Sequence, residues 1–474
     1  MADRLGSYKG KRDFGKTPEP KGRSRGKTSE ARFVVQEHHA RRLHWDLRLE
    51  HEGTLASWAL PRGVPEHPDE NRLAVRTEDH PLEYLEFHGE IPKGEYGAGT
   101  MLVWDSGTYE AEKFRDDEVI ATFRGERLNG RYALFRTRES DWMIHRMDPP
   151  RDPAYEPFPE QIKPMMARSG ALPPREEQFG FEVKWDGIRG VAFCDHGHFE
   201  LQGRHLRDFT PRYPEVRELA RSLGARRVVL DGEVVAFDDD GRPSFERLQA
   251  RMHLASDSAV RRRMKDIPAT YVIFDLLYLD GHSTMALPYE ERRSLLEQLE
   301  LEGPAWRTPS YHRGEGSALL AATKQHGIEG VVAKKLDCPY QPGARASHWI
   351  KVKNVHTQDV VIGGWTPGEG GRQASLGSLA VGVMEEGKLV YSGKVGTGFT
   401  EQSLALVKRE LEPLRTDTSP FSGRKPPKGT IFVEPRLVAH VEFREWTKSG
   451  TLRAPSFKGL RPDISPQECV REEG

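Results

Sequence analysis

Read for alternation alone, the chain changes texture several times. Residues 33–147 hold short runs in which apolar and polar positions alternate, among them RFVVQ, LHWDLRLE, RLAVRT, TMLVWD and RYALFR, separated by Gly and Pro turns. That spacing predicts a compact β-rich domain. The stretch from Asp148 to Pro159 is crowded with proline and predicts a stiff linker. Residues 163–354 mix apolar strands (FGFEVKW, RRVVLDGEVVAF, YVIFDLLYL) with the helical PYEERRSLLEQLE, an α+β pattern. Beyond about Val355 the text is β again, with DVVIGGW, SLAVGVM and KLVYSGKVG, one helix near 403–414 and a closing strand at Val438–Phe443. A small barrel fits that pattern. Residues 1–28 are rich in Lys, Arg, Gly and Pro and poor in large apolar residues, which predicts a flexible basic arm. The expected plan is a multidomain α+β chain: arm 1–28, β-rich barrel-like domain 29–148, linker 149–162, α+β domain 163–354 and β-barrel 355–474.

Composition narrows the function classes. Hydrophobic residues make up 36% and charged ones 30%, which suits a globular protein, and no run of about 18 apolar residues is present to span a membrane. The basic, polar start lacks the apolar core of a secretory signal, so a cytoplasmic location is expected. Cys194, Cys338 and Cys469 are scattered and form no CxxC pair, leaving no zinc module to propose. A net charge of −1 argues against a uniformly basic nucleic-acid binder but allows a segregated basic surface, because phosphates respond to local charge. No GxxxxGK[ST] loop occurs, which disfavours an ATPase motor.

Two constellations carry chemistry. In the first, Lys184 follows a strand with apolar Phe179, Phe181 and Val183 and precedes Asp186-Gly187, so its amine stands at a rim. By itself KxDG is also what a surface turn looks like. It is followed in order by Arg204, by Leu230-Asp231-Gly232-Glu233, by an apolar strand carrying Phe274, by Glu329-Gly330-Val331-Val332, and by Trp349-Ile350-Lys351-Val352-Lys353. Alternation places Lys351 and Lys353 on one face of that last strand. A lysine amine attacking the α-phosphate of ATP makes a phosphoramidate and divides one hard step into easier ones. The amine must be neutral, and Lys351 and Lys353 are expected to help by lowering its pKa. Glu233 and Glu329 are oxygen ligands of the kind Mg²⁺ prefers.

In order and spacing this set resembles the covalent nucleotidyltransferases: DNA ligases, RNA ligases and capping enzymes. The resemblance implies an ATP-grasp-like ligase core with Lys184 as the AMP acceptor. It implies ribose contacts from Arg204 and Glu233, base stacking by Phe274, an adenine contact from Glu182 and a supporting role for Arg189. Glu329 is similar to the family's metal carboxylate, and Lys351 and Lys353 to its phosphate contacts. The following β segment resembles the OB-fold barrel of ligases. Residues 453–461 (RAPSFKGLR) resemble the family's last motif, whose basic residues, Arg453 among them, would orient the pyrophosphate leaving group; alone they also suit a basic loop.

In the second constellation, alternation along Leu43–Leu49 sends Leu43, Trp45, Leu47 and Leu49 inward and leaves His44, Asp46 and Arg48 on one face, about 7 Å apart in sequence-adjacent pairs. A solvated strand face has the same look. His38 can fold back toward that face, and His80 and Tyr84 supply another imidazole and a phenol. Such a set suits metal-assisted phosphoester cleavage, with a guanidinium to clamp the anion. Residues 94–99 (GEYGAG) read better as a structural turn than as a phosphate loop, since no helix follows. This region resembles the 3′-phosphoesterase domain of bacterial ligase D. The resemblance makes His38, His44 and Asp46 metal ligands and Arg48, His80 and Tyr84 catalytic or phosphate-contacting residues. Within the basic arm, Arg12-Asp13-Phe14 and Thr17-Pro18-Glu19-Pro20 resemble that family's N-terminal motif.

Together the resemblances imply an ATP-dependent DNA ligase that seals 3′-OH/5′-phosphate nicks through lysyl-AMP, joined to a 3′-end-healing phosphoesterase and 3′-ribonuclease, in double-strand break repair by nonhomologous end joining. They imply ATP with Mg²⁺ or Mn²⁺ in the ligase and Mn²⁺ in the phosphoesterase, although mixed nitrogen and oxygen donors also suit Zn²⁺. The implied partners are DNA nicks and ends, Ku and, with no polymerase-like segment in view, a separate polymerase/primase chain on a bacterial nucleoid. An RNA ligase or capping enzyme shares the chemistry; the barrel with its last motif and the end-healing domain favour DNA. A non-catalytic DNA-end scaffold is disfavoured because every expected catalytic position is occupied.

Overall fold

The alternating runs of the N-terminal third close into a barrel. The computed structural model describes residues 4–22, 30–252, 254, 256–368 and 376–472. Its first nine strands are β1 (Ala31–His39), β2 (Leu43–His51), β3 (Thr54–Leu60), β4 (Asn71–Arg76), β5 (Gly89–Ile91), β6 (Gly99–Phe114), β7 (Glu118–Arg124), β8 (Asn129–Arg138) and β9 (Asp141–Arg146). Eight follow the order β1-β2-β3-β4-β9-β8-β7-β6, and β1 pairs back onto β6, so the ring has no free edge. Trp45, Leu47 and Leu49 point into the core with Phe33, Trp58 and Phe123.

The other face of β1 and β2 is covered by protein. Residues 4–22, expected as part of a flexible arm, fold across it; the arm's remaining residues, 1–3 and 23–28, lie outside the described residues. Tyr8 is fully buried in a small second core with Leu82, Tyr84 and Met101, and its hydroxyl donates to the Pro20 carbonyl at 2.7 Å. The buried Arg12 guanidinium lies over the Tyr8 ring and pairs with Glu19 and Glu78. Composition misleads here because the segment needs no core of its own. A buried tyrosine and ion pairs from Arg4, Lys11 and Arg12 hold it to a face that already exists.

The proline-rich stretch is packed as well. Glu156 N–H donates to the Gly281 carbonyl at 2.7 Å, and Phe158 stands edge-on to Tyr278, ring centres 5.2 Å apart. Arg227 joins the modules: it pairs with Glu70 of the barrel at 2.9 Å and with Asp195 of its own sheet at 3.0 Å. Beside it the Trp45 ring meets His196 edge-on at 4.8 Å.

The α+β region is built on two sheets. One runs Met166–Ser169, Arg345–Lys353, Gly330–Lys335, Phe179–Val183; the other contains His198–Gln202, Ile188–Asp195, Arg227–Ala236, Ala269–Leu279. Helix Tyr289–Glu297 packs on Ala269–Leu279, and its fully buried Arg292 forms a fork to the fully buried Asp275, at 2.7 and 2.9 Å. Removing one partner of such a pair strands a charge in the core. Asp275→Ala is therefore expected to cost about 3–5 kcal/mol, read as a lower urea midpoint for this region; an unchanged midpoint would show that the pair is not structural.

The last third is a second barrel. Strands Lys388–Val395, Leu376–Glu385, His356–Pro367, Val438–Phe443 and Ser456–Leu460 pair in that order, and Ser456 bridges back in parallel to Thr397. Helix Glu401–Leu411 begins with a reciprocal Thr400/Ser403 cap.

Candidate active sites

Strand register assembles the first site. Glu182 pairs with Val332, and Val332 in turn with Lys351, so three strands deliver their ends to one rim. Lys184 lies just past its strand, its N–H donating to the Gly330 carbonyl at 2.9 Å, and its amine donates to the carboxylate of Glu329. In the second sheet Arg189 pairs with Glu233. One pocket is lined by Glu182, Lys184, Arg189, Arg204, Glu233 and Phe274 from the first part of the region, and by Glu329, Lys351 and Lys353 from the second.

Their surroundings differ from the expected ones in several ways. Burial would lower the Lys184 amine, but Glu329, Asp186 and Glu233 outweigh it, so the amine is held above the ordinary lysine value. Lys351 and Lys353 do not bring the amine down as expected: the nearby carboxylates prevail, and both lysines face Glu472, at 2.5 and 2.9 Å. Burial brings Lys351 down to about 8, with Glu472 opposing and Lys353 adding to the shift. Glu329 goes the other way: Lys184 and Lys353 overcome its burial and hold it at about 2. Burial lifts Glu233 to about 7 against the pull of Arg189 and Arg204.

Other partners define roles. Arg189 is committed to the protein, forked to Asp231 at 2.6 Å on both bonds and stacked 4.5 Å from the Phe274 ring. Glu182 is bound by the Tyr289 hydroxyl and by Lys334 at 2.7 Å. Arg204, by contrast, has a buried Nε with no hydrogen-bond partner, a donor held ready for a ligand. Arg453 is outside this pocket: its guanidinium is exposed and paired with Glu445. The basic residue that the C-terminal barrel does contribute is Arg461, forked to Asp463 at 2.9 and 2.8 Å. Residues 453–455 form the bend before Ser456–Leu460 and carry the Arg453 side chain to the surface, so the structure does not bring it to the residues of this pocket.

Sequence reasoning missed Lys334, His440 and Glu472, which line the pocket; Asp186, Trp349 and Arg461, present in the quoted motifs without a role of their own, line it too. Lys334 was accessible, since alternation places it on the same strand face as Val332. His440 and Glu472 arrive from the barrel, and no local pattern could announce them; Arg461 closes the last motif.

The second site lies on the covered face of β1 and β2. The hairpin sets His38 opposite His44 and Gln36 opposite Asp46. Donor atoms of His38, His44 and Asp46 all lie within 4.8 Å of one another. His38 Nε2–H donates to the Gly97 carbonyl at 2.9 Å and His44 Nδ1–H to the Arg42 carbonyl at 3.0 Å, leaving His38 Nδ1 and His44 Nε2 toward Asp46. Carbonyl partners of this kind fix the tautomer a metal ligand needs. Two imidazoles and a carboxylate fit a divalent cation. Residues 94–99 thus form a turn that buttresses His38.

Asp46 is held well below the usual carboxylate range: Arg48, His38 and His44 overcome its burial. Arg48 donates to Asp46 at 3.0 Å, to Gln36 at 2.7 Å and to Ser57 at 3.1 Å, and its guanidinium lies 4.8 Å from the Tyr84 ring. His80 donates from Nδ1 to the Glu78 carbonyl at 2.8 Å and accepts from Arg12 at 3.3 Å. Burial, then Arg48 and Arg12, keep it neutral. The Tyr84 hydroxyl donates to Glu19. The arm is therefore part of this site's wall.

Known proteins match this arrangement region by region. The model for the DNA ligase D 3′-phosphoesterase domain matches residues 36–136, that for the ATP-dependent DNA ligase domain residues 161–353, and that for the ATP-dependent DNA ligase C-terminal region residues 372–464. The multifunctional non-homologous end joining DNA repair protein LigD of Mycobacterium tuberculosis is 46% identical over the whole chain, and that of Pseudomonas aeruginosa is 36% identical over 99% of it. The chain spans 62% of the length of each. A solved structure of mycobacterial DNA ligase D complexed with ATP and MES is 42% identical over 66% of the chain and 98% of its own, with a TM-score of 0.50. A 3′-phosphoesterase barrel, a nucleotidyltransferase core and an OB-fold barrel, in this order and at these identities, place the chain in the ligase D family.

Proposed function

We propose that the chain is a two-activity DNA-end repair enzyme: an ATP-dependent ligase whose lysyl-AMP forms on Lys184, and a phosphoesterase that clears 3′ ends for it. The observation that carries the ligase reading is one pocket holding Lys184, three buried carboxylates and an unpartnered Arg204 donor beside Lys351 and Lys353. In the geometry described, Lys184 is an ammonium held by Glu329, and it must lose a proton before it can attack. Mg²⁺ or Mn²⁺, when bound by Glu233 and Glu329, supplies charge neutralisation at the phosphates. Glu329, once engaged by a cation, would no longer hold the Lys184 ammonium, and the amine would then release its proton to solvent. Lys184 Nζ then forms a bond to the α-phosphorus of ATP while the bond to the pyrophosphate oxygen breaks, and Lys351 and Lys353 take up the leaving group's charge. The adenylate passes to a DNA 5′-phosphate, and an adjacent 3′-hydroxyl displaces AMP to seal the nick.

In the barrel, His38, His44 and Asp46 would hold Mn²⁺, which when bound activates water and polarises a phosphate oxygen. Arg48 is placed to clamp the anion. His80, held neutral, and Tyr84 flank it. The substrates on this reading are 3′-phosphates and 3′-ribonucleotides, and the product is a 3′-hydroxyl. The domain limits 29–148, 163–354 and 355–474, a cytoplasmic place on the bacterial nucleoid and cooperation with Ku belong to the same proposal.

The test is incubation of the folded chain with labelled ATP and Mg²⁺, then a chase with nicked duplex. A labelled protein whose label moves to DNA is expected. A metal-supplied sample that never takes up AMP would sink the ligase reading. Comparing nicked RNA with nicked DNA decides which nucleic acid is sealed.

A further inference from the structure

Glu472 makes the most specific contact in the pocket that the reaction does not explain. Its carboxylate accepts from Lys351 at 2.5 Å, from Lys353 at 2.9 Å and from Ser169 Oγ at 2.9 Å. Lys351 and Lys353 are the pair that adenylylation assigns to the phosphates of ATP. Glu472 reaches them from the far side of the pocket, beyond the last barrel strand. Its N–H donates to Gln358 Oε1 at 3.0 Å, and Gln358 Nε2 donates to the Val470 carbonyl at 2.9 Å, so the backbone holds it in place.

Two ammonium groups and a hydroxyl around a single anion form a phosphate-type site, here filled by a carboxylate. The Lys353 ammonium has three donors, and its contacts are Glu472, the Thr357 carbonyl at 3.0 Å and Thr357 Oγ1 at 2.7 Å. An incoming triphosphate therefore has to replace a bond that exists. The lysines draw Glu472 down to about 2, so the competing anion persists throughout the neutral range.

Building on the adenylylation proposed above, we infer that Glu472 is an internal stand-in for the β- and γ-phosphates. It occupies their subsite before ATP arrives, gives way to the triphosphate, and returns when pyrophosphate leaves. Its return obstructs pyrophosphate and so protects the enzyme–AMP from reversal. Both ATP and pyrophosphate bind only to the fraction of molecules in which Glu472 is displaced, and their apparent affinities fall by that fraction.

The experiment uses the whole chain with Glu472→Ala and Glu472→Gln. Adenylylation is followed against ATP concentration, and loss of AMP from the adenylylated enzyme against pyrophosphate concentration. For Glu472→Ala both half-saturating concentrations are expected to fall roughly fivefold or more, with the maximal rates moving less. Glu472→Gln keeps the shape and loses the charge, and should shift both in the same direction. A rise in both constants would overturn the inference and make Glu472 a clasp that assembles the site. Should the parent chain take up no AMP at all, the adenylylation reading falls and takes this one with it. A parent that does, with both variants matching it at every concentration, removes this inference alone.

Discussion

Lys184→Ala is expected to lower self-adenylylation and nick sealing by more than about 10⁴-fold while 3′-end processing continues at the parental rate. Without the amine there is no atom to accept AMP, and none of the nearby cations can replace it. Lys334 is locked to Glu182, and Lys351 and Lys353 to Glu472. The fold should tolerate the change, because Glu329 keeps a hydrogen bond from Thr357 Oγ1 at 3.1 Å and the favourable charge of Lys353. Intact mass after exposure to ATP and Mg²⁺ gives the readout: the parent gains one adenylate and the variant none. A variant that still gained it would move the nucleophile elsewhere.

His44→Ala should reverse that pattern, cutting metal-dependent 3′ trimming by on the order of 10³-fold and leaving adenylylation intact. His44 suits this test better than Asp46. Its side chain is 23% exposed and bonded only to a backbone carbonyl, so its removal leaves no charge unpaired. Losing Asp46 would strip buried Arg48 of its counter-charge and confuse chemistry with folding. Trimming of a 3′-phosphate-ended primer across a Mn²⁺ series measures the effect. Parental trimming at limiting metal would remove His44 from the ligand set.

How much of this was legible in the sequence depended on the range of the interactions. Period-two alternation identified the inward Trp45, Leu47 and Leu49 and the polar His44, Asp46 and Arg48, because strand geometry is local. The ordered motifs from Lys184 to Lys353 were readable because each sets a polar or aromatic residue in or beside an apolar strand, and the strands share one pocket. What escaped was the electrostatic setting. Lys351 and Lys353 read as cations that would unburden Lys184, and only the placement of Glu472, more than a hundred residues on, reveals where their charge goes. Arg453 and Arg461 have equal standing in the sequence, yet one is paired at the surface and the other lines the pocket, a difference set by how the barrel docks. The arm looked free because its covering face belongs to another part of the chain.

Strand β2 serves two masters. His44 and Asp46 project from one side to form the candidate ligand cluster with His38, and Trp45 between them projects from the other, with its ring against His196 of the ligase core. A pleated strand cannot slide for one neighbour without displacing the other. Tightening around an ion and settling against the core are thus demands on the same short piece of backbone, and whatever loosens one grip will be felt by the other.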